Sequence, residues 1–205
     1  PADLPRLHKL RVLFCSDNNF TDVPAVLGQC PQLEMVGFKA NQIRHLPAAA
    51  LPAKLRWLIL TDNQLEQLPE ALGQCQQLQK LMLAGNRLRE LPASLAHCHN
   101  LELLRIAANQ LDALPQWLLQ LPRLSWLAYA GNPFCDRLEA ASLRQHPLRS
   151  IPWQQLQLGA RLGEGASGVI QQATWQTEQG PAQQIAVKLF KGAVTSDGLP
   201  HSEMS

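Results

Sequence analysis

LQKLMLAGNRLRELP, residues 78–92, places leucine at 78, 81, 83, 88 and 91, asparagine at 86 and proline at 92. Leucines separated by one residue are the alternation of a short strand with one apolar side. An asparagine then ends the strand, and Leu-Pro closes the frame. The frame returns in LEMVGFKANQIRHLP (33–47), LRWLILTDNQLEQLP (55–69) and LELLRIAANQLDALP (101–115). LRVLFCSDNNFTDVP (10–24) fits it with Cys15, Phe20 and Val23 in apolar slots, and LSWLAYAGNPF (124–134) is a last copy without Leu-Pro. The asparagines at 18, 41, 63, 86, 109 and 132 are 23, 22, 23, 23 and 23 residues apart.

A unit this short cannot bury its apolar side alone, so the copies must stack into a parallel sheet with one continuous core. The frame resembles the leucine-rich repeat family over residues 1–135, about six repeats. The resemblance implies an α/β class solenoid, a horseshoe lined by a parallel sheet. Each asparagine turns the chain out of its strand, and its amide can satisfy backbone groups in neighbouring turns. Leu-Pro opens the convex return, where the fixed φ of proline suits the first turn of a short helix. Pro1 precedes Pro24 by 23 residues, so PADL (1–4) matches PAVL (24–27) and an earlier repeat is expected upstream. After GNPFC the frame is lost. Residues 136–152 read as a closing helix, capped by Asp136 and ended before Pro147, followed by a connection.

The 205 residues are 46% hydrophobic and 17% charged, with a net charge of +2 and no clustering of cations. That balance argues against nucleic acid or an anionic membrane as the main partner. No apolar run approaches the length of a membrane-spanning helix. Five cysteines without a C-x-x-C pair suggest neither a disulfide framework nor a zinc site. Cys30, Cys75 and Cys98 each lie three residues before the first leucine of a repeat, the slot that Leu7 and Leu121 also hold. They are expected to be small buried hydrophobes, and Cys15 to replace a core leucine. Unpaired thiols suit a reducing compartment such as the cytoplasm. His97 and His99 flank Cys98, but a cysteine pointing into the core and two histidines on the turn do not converge on a metal.

The residues between the leucines form two columns on the concave side. One runs Val12, Met35, Trp57, Lys80, Leu103, Trp126, and the next Phe14, Gly37, Ile59, Met82, Arg105, Ala128. These side chains are expected to be exposed, and many are large and apolar, as in a surface that binds a protein partner.

Beyond Pro152 the pattern changes. LQLGARLGEGASGVIQQATWQ (156–176) reads as two strands around a glycine-rich turn, and QQIAVKLFKG (183–192) as a third strand. Gly163, Gly165 and Gly168 stand in a G-x-G-x-x-G frame between strands, which disfavours a dinucleotide fold. One strand later comes Ile185-Ala186-Val187-Lys188. Together these resemble the start of the protein kinase family's N-lobe, over residues 153–205, as a partial lobe of antiparallel strands. Leu162 matches the apolar residue before the loop and Ile170 the valine after it. Ala186 and Lys188 match the alanine and lysine of the third strand. Ser167 stands where many members carry an aromatic, and Glu203 is a candidate partner for Lys188.

The resemblance implies ATP with Mg²⁺ in a longer protein that phosphorylates protein Ser, Thr or Tyr. Neither the H-R-D-x-x-x-x-N loop nor D-F-G occurs in these residues, so the chain is expected to be inactive alone and to bind ATP poorly. The alternative is a non-catalytic repeat module with a relic kinase tail. With no membrane helix between the repeats and the glycine loop, the layout differs from plant receptor kinases and resembles cytoplasmic repeat–kinase proteins.

Overall fold

A computed structural model of the chain describes residues 3–135, 150–165, 168–176 and 180–191. Each repeat gives one three-residue strand: β1 Val12–Phe14, β2 Met35–Gly37, β3 Trp57–Ile59, β4 Lys80–Met82, β5 Leu103–Arg105 and β6 Trp126–Ala128. They form a parallel sheet in chain order. The register pairs Val12 with Met35, then Trp57, Lys80, Leu103 and Trp126, so the columns expected from the repeat are real rows of neighbours.

The middle residue of each strand points inward. Val36, Leu58, Leu81 and Leu104 are buried, as are Leu33, Leu55, Leu78 and Leu101 at the frame's start and Ile43, Leu65, Leu88 and Leu111 beyond the asparagine. These residues make one continuous core.

The asparagines work as a ladder. Asn86 Oδ1 accepts from the Leu65 N–H at 3.0 Å, while its Nδ2 donates to Leu60 and Leu83 carbonyls, both at 2.9 Å. Asn41, Asn63, Asn109 and Asn132 repeat this bridge to the preceding turn. Asn63, Asn86, Asn109 and Asn132 are themselves buried. Partnering is therefore obligatory, because an unmatched amide there would lose its water for nothing.

The residue before each asparagine takes a left-handed backbone. Asp17, Ala40, Asp62 and Ala108 have φ between 51° and 58°, and Gly85 and Gly131 have 69° and 71°. Aspartate and glycine accept that region, whereas alanine is strained there.

The prolines differ from the expectation. Pro24, Pro47, Pro69, Pro92 and Pro115 precede the 3-10 turns instead of opening them, with ψ of 123–143°. Their carbonyls accept the first turn bond, as from Leu27 at 3.1 Å and Ala50 at 2.9 Å. A fixed φ suits extended backbone as well as helix, and the carbonyl serves as cap acceptor. The turn at Ala48–Ala50 has three residues where its neighbours, Ala25–Gln29 and Glu70–Gln74, have five. That shortening lies in the 22-residue repeat, and the sheet register continues through it.

Cys30, Cys75, Cys98 and Leu121 are buried as the shared slot requires, and Cys15 packs partly buried against the core. Leu7 is the correction: it is 55% exposed, because the first turn of the stack is covered from one side only among the described residues. Phe20, expected in an apolar slot, is partly open, in edge-to-face contact with Phe38 at 5.2 Å between ring centroids. Residues 136–149, including Asp136 and the whole of the expected closing helix, lie outside the described residues.

The second unit is an antiparallel sheet of β7 Leu156–Glu164, β8 Gly168–Trp175 and β9 Gln183–Phe190, in that order, as expected from the sequence. Register shifts on either side of Arg161 bend β7 as it enters the glycine loop.

Candidate functional site

Two surfaces carry candidate residues. On the concave face, Val12, Phe14 and Trp126 at the ends of the stack are about half exposed. Met35, Trp57, Ile59, Lys80, Met82, Leu103, Arg105 and Ala128 are half-buried, and Gly37 is buried. Full exposure was expected; strands about 4.8 Å apart let side chains of one column shield each other. Phe14 fills the gap that Gly37 leaves: a Cβ on Gly37 would lie 2.6 Å from Phe14 Cδ1.

Two cations rest on tryptophans. Lys80 Nζ sits 4.0 Å from the Trp57 ring centroid, and the Arg105 guanidinium 5.8 Å from that of Trp126. Both are in the range of cation–π attraction. Along the next column, Arg11 grips Glu34 with two bonds of 3.0 and 2.9 Å, Arg56 approaches the same carboxylate at 3.6 Å, and Arg56 also donates to Gln79 at 3.0 Å. The Arg11 hydrogen bond is the main reason that the Glu34 carboxyl is held below its usual range, and Arg11 is raised in return. The sequence reading missed this ladder and the Lys80–Trp57 pair. The signal was present, since residues one repeat apart in a column are sheet neighbours.

The cysteines offer no such surface. Burial pushes the Cys75 and Cys98 thiols up to about 11, with Cys75 adding to the shift at Cys98. These are inert, protonated thiols. His97 and His99 are exposed while Cys98 is fully buried, so the three do not converge.

At the glycine loop, the register sets Gly163 opposite Ile170 and Ile170 opposite Lys188. Ala186, two residues before Lys188, shares its face of the sheet. Four of the residues singled out in the sequence are thus brought together. Leu162 lies at the bulged end of β7 and is exposed. The Gly165 N–H donates to the Gly168 carbonyl at 2.9 Å and closes the loop. Lys188 is exposed, with Nζ 4.6 Å from the Phe190 ring centroid, and Glu164 pairs with Arg161 and Lys191. Ser167 and Glu203 lie outside the described residues.

The three glycines are not equivalent. A Cβ on Gly168 would stand 2.5 Å from the Leu189 carbonyl oxygen, so strand packing alone demands glycine there. Among the described residues, Gly163 and Gly165 have nothing within 4 Å of an added Cβ, and neither has a positive φ. Neither packing nor backbone conformation within the described residues requires glycine at these two, and their open side leaves room for close approach by another molecule.

Comparison with known proteins agrees with this geometry for the repeats. Residues 76–134 and 54–75 match two leucine rich repeat families. The solved structures resembling the chain include an internalin of Listeria monocytogenes, with 24% identity, TM-score 0.55, and coverage of 63% of this chain and 38% of that one. The LRR ectodomain of the receptor kinase SOBIR1 from Arabidopsis thaliana gives 22% identity and TM-score 0.51, covering 58% of this chain and 69% of that one. A leucine-rich-repeat protein of Leptospira interrogans gives 23% and 0.52, covering 75% and 51%. At these identities the likeness is one of fold, and the chain spans well under half of the internalin's length. No curated protein sequence matches. The chain carries leucine-rich repeats, and a separate three-stranded antiparallel sheet follows them.

Proposed function

We propose that the chain is a protein-binding module that docks a protein partner on its concave repeat face. The observation that supports this is the run of large apolar side chains there, from Val12 and Phe14 through Trp57 and Met82 to Trp126, partly open to solvent. Apolar and aromatic side chains grouped on an open surface are the usual make-up of an interface core. The test is a photo-crosslinking amino acid placed at Met35 or at the convex, 86% exposed Leu119. In cells the concave probe should capture a defined protein that the convex probe does not. Equal capture by both would refute the proposal.

A second reading concerns the sheet. The row Gly163–Ile170–Lys188 and the open sides of Gly163 and Gly165 favour an ATP-facing glycine loop, as in the N-lobe of a protein kinase. ATP with Mg²⁺ would supply the phosphoryl group that a longer protein transfers to Ser, Thr or Tyr of a protein substrate. Here the loop backbone and Lys188 would hold the phosphates. Residues 1–205 alone should transfer no phosphate from labelled ATP to a protein substrate. In a longer, active form Lys188→Met should abolish transfer, and retention of activity would remove Lys188 from that role. Five free thiols favour a reducing, cytoplasmic setting for both readings.

A further inference from the structure

The charges of the concave face differ between its two halves. Toward the N-terminal end, Arg11, Glu34 and Arg56 satisfy one another, and the surface beside them is the apolar patch of Val12, Met35 and Phe14 over Gly37. Lys80 has no such answer. Among the described residues its Nζ makes no ion pair or hydrogen bond, and it rests over the Trp57 ring at 4.0 Å. Glu102, which precedes its sheet neighbour Leu103, makes no ion pair with it.

We infer that the partner presents an extended segment whose Asp or Glu side chain docks on the Lys80 ammonium, with an apolar residue about four positions away on the Phe14–Gly37 patch. This rests on the reading of the concave face as a protein-docking surface and specifies its chemistry. An ammonium held over an indole face is fixed in place, and it keeps N–H donors for a carboxylate. Bringing an acid to it between Trp57 and Leu103 gives a charge-assisted bond partly sheltered from water. The spacing follows from the sheet. β1 and β4 are three strands apart, roughly 14 Å at 4.8 Å per step. An extended peptide covers that distance in about four residues. A membrane or nucleic acid would ask for clustered free cations, whereas the sheet neighbours of Lys80 are Trp57 and Leu103, and the cations to either side are engaged, Arg56 by Glu34 and Gln79 and Arg105 by Trp126.

The experiment pans a random twelve-residue displayed peptide library on the 205-residue chain and measures the enriched peptides by fluorescence anisotropy. The selected peptides should share an acid with an apolar residue about four positions away. Lys80→Gln should weaken them about tenfold or more, and Lys80→Arg should restore much of the loss. Replacing the peptide's acid by its amide should cost the same on the native chain and little on Lys80→Gln. Circular dichroism checks that each variant is folded. If Phe14→Ser weakens the peptides while Lys80→Glu does not, the docking face stands and the carboxylate inference falls. If neither changes binding, both readings fall. Enrichment of basic peptides, or of none, also overturns the inference.

Discussion

The repeats and the antiparallel sheet treat the same residue types differently. From β2 to β5 the inward residue of every strand is buried, and each strand has neighbours that bury it. In the antiparallel sheet only Ala173 and Trp175 among the apolar side chains are buried, while Leu158, Leu162 and Ile170 are 37%, 60% and 40% exposed. Three strands can pair all along their length and still lack a second layer. Stacked repeats supply that layer from their own convex turns. Hydrogen-bonded pairing and burial are separate requirements, and only the solenoid meets both within the described residues.

The largest expected effect tests that difference directly. Leu81→Ala, at a fully buried site in β4, should lower stability by about 3–5 kcal/mol in urea unfolding. Val187→Ala, half-buried in β9, should cost about 1 kcal/mol or less. Equal costs would break the comparison and reveal a covering layer over the sheet. Gly168→Ala comes next. The clash with the Leu189 carbonyl should cost about 1–3 kcal/mol and speed amide exchange in β8 and β9, whereas Gly163→Ala and Gly165→Ala should leave exchange unchanged.

Ala108→Gly should act in the opposite direction. Relief of its left-handed backbone, at φ 51°, should raise stability by about 0.5–1 kcal/mol. Ala84→Gly, outside that region, should lower it by a similar amount. The smallest effect is electrostatic. The folded-state pKa of Glu34 is depressed, so its contribution is full above about pH 4.3, the unfolded value, and is lost as pH falls through the lowered one. Thermal melts from pH 3 to 6 should therefore show a shallower acid loss for Glu34→Gln.

The stack, its register and its asparagine ladder were legible because each repeat states the same spacing again. The convex turns were legible in place but not in detail, since proline's fixed φ fits both a helical first turn and the extended cap it adopts. The left-handed site before each asparagine was obscured by Ala40 and Ala108, which stand where aspartate or glycine would have signalled it. Half-burial along the concave columns depends on how Trp57, Lys80 and Phe14 lie across their neighbours. Periodicity fixes which residues are adjacent but not which way they lean. At the loop, glycine spacing alone could not separate Gly168, needed for strand packing, from Gly163 and Gly165, which face open space among the described residues.

The unbroken register has a kinetic meaning as well. Each strand pairing, from Val12 with Met35 to Leu103 with Trp126, joins residues 22 or 23 apart, however many repeats are stacked. The entropic cost of closing each new loop is therefore nearly constant, and no step waits for the distant ends of the chain to meet. Folding can begin at any adjacent pair and spread outward in both directions. The shortened turn at Ala48–Ala50 changes the length of one such loop by a single residue and leaves the strands in register.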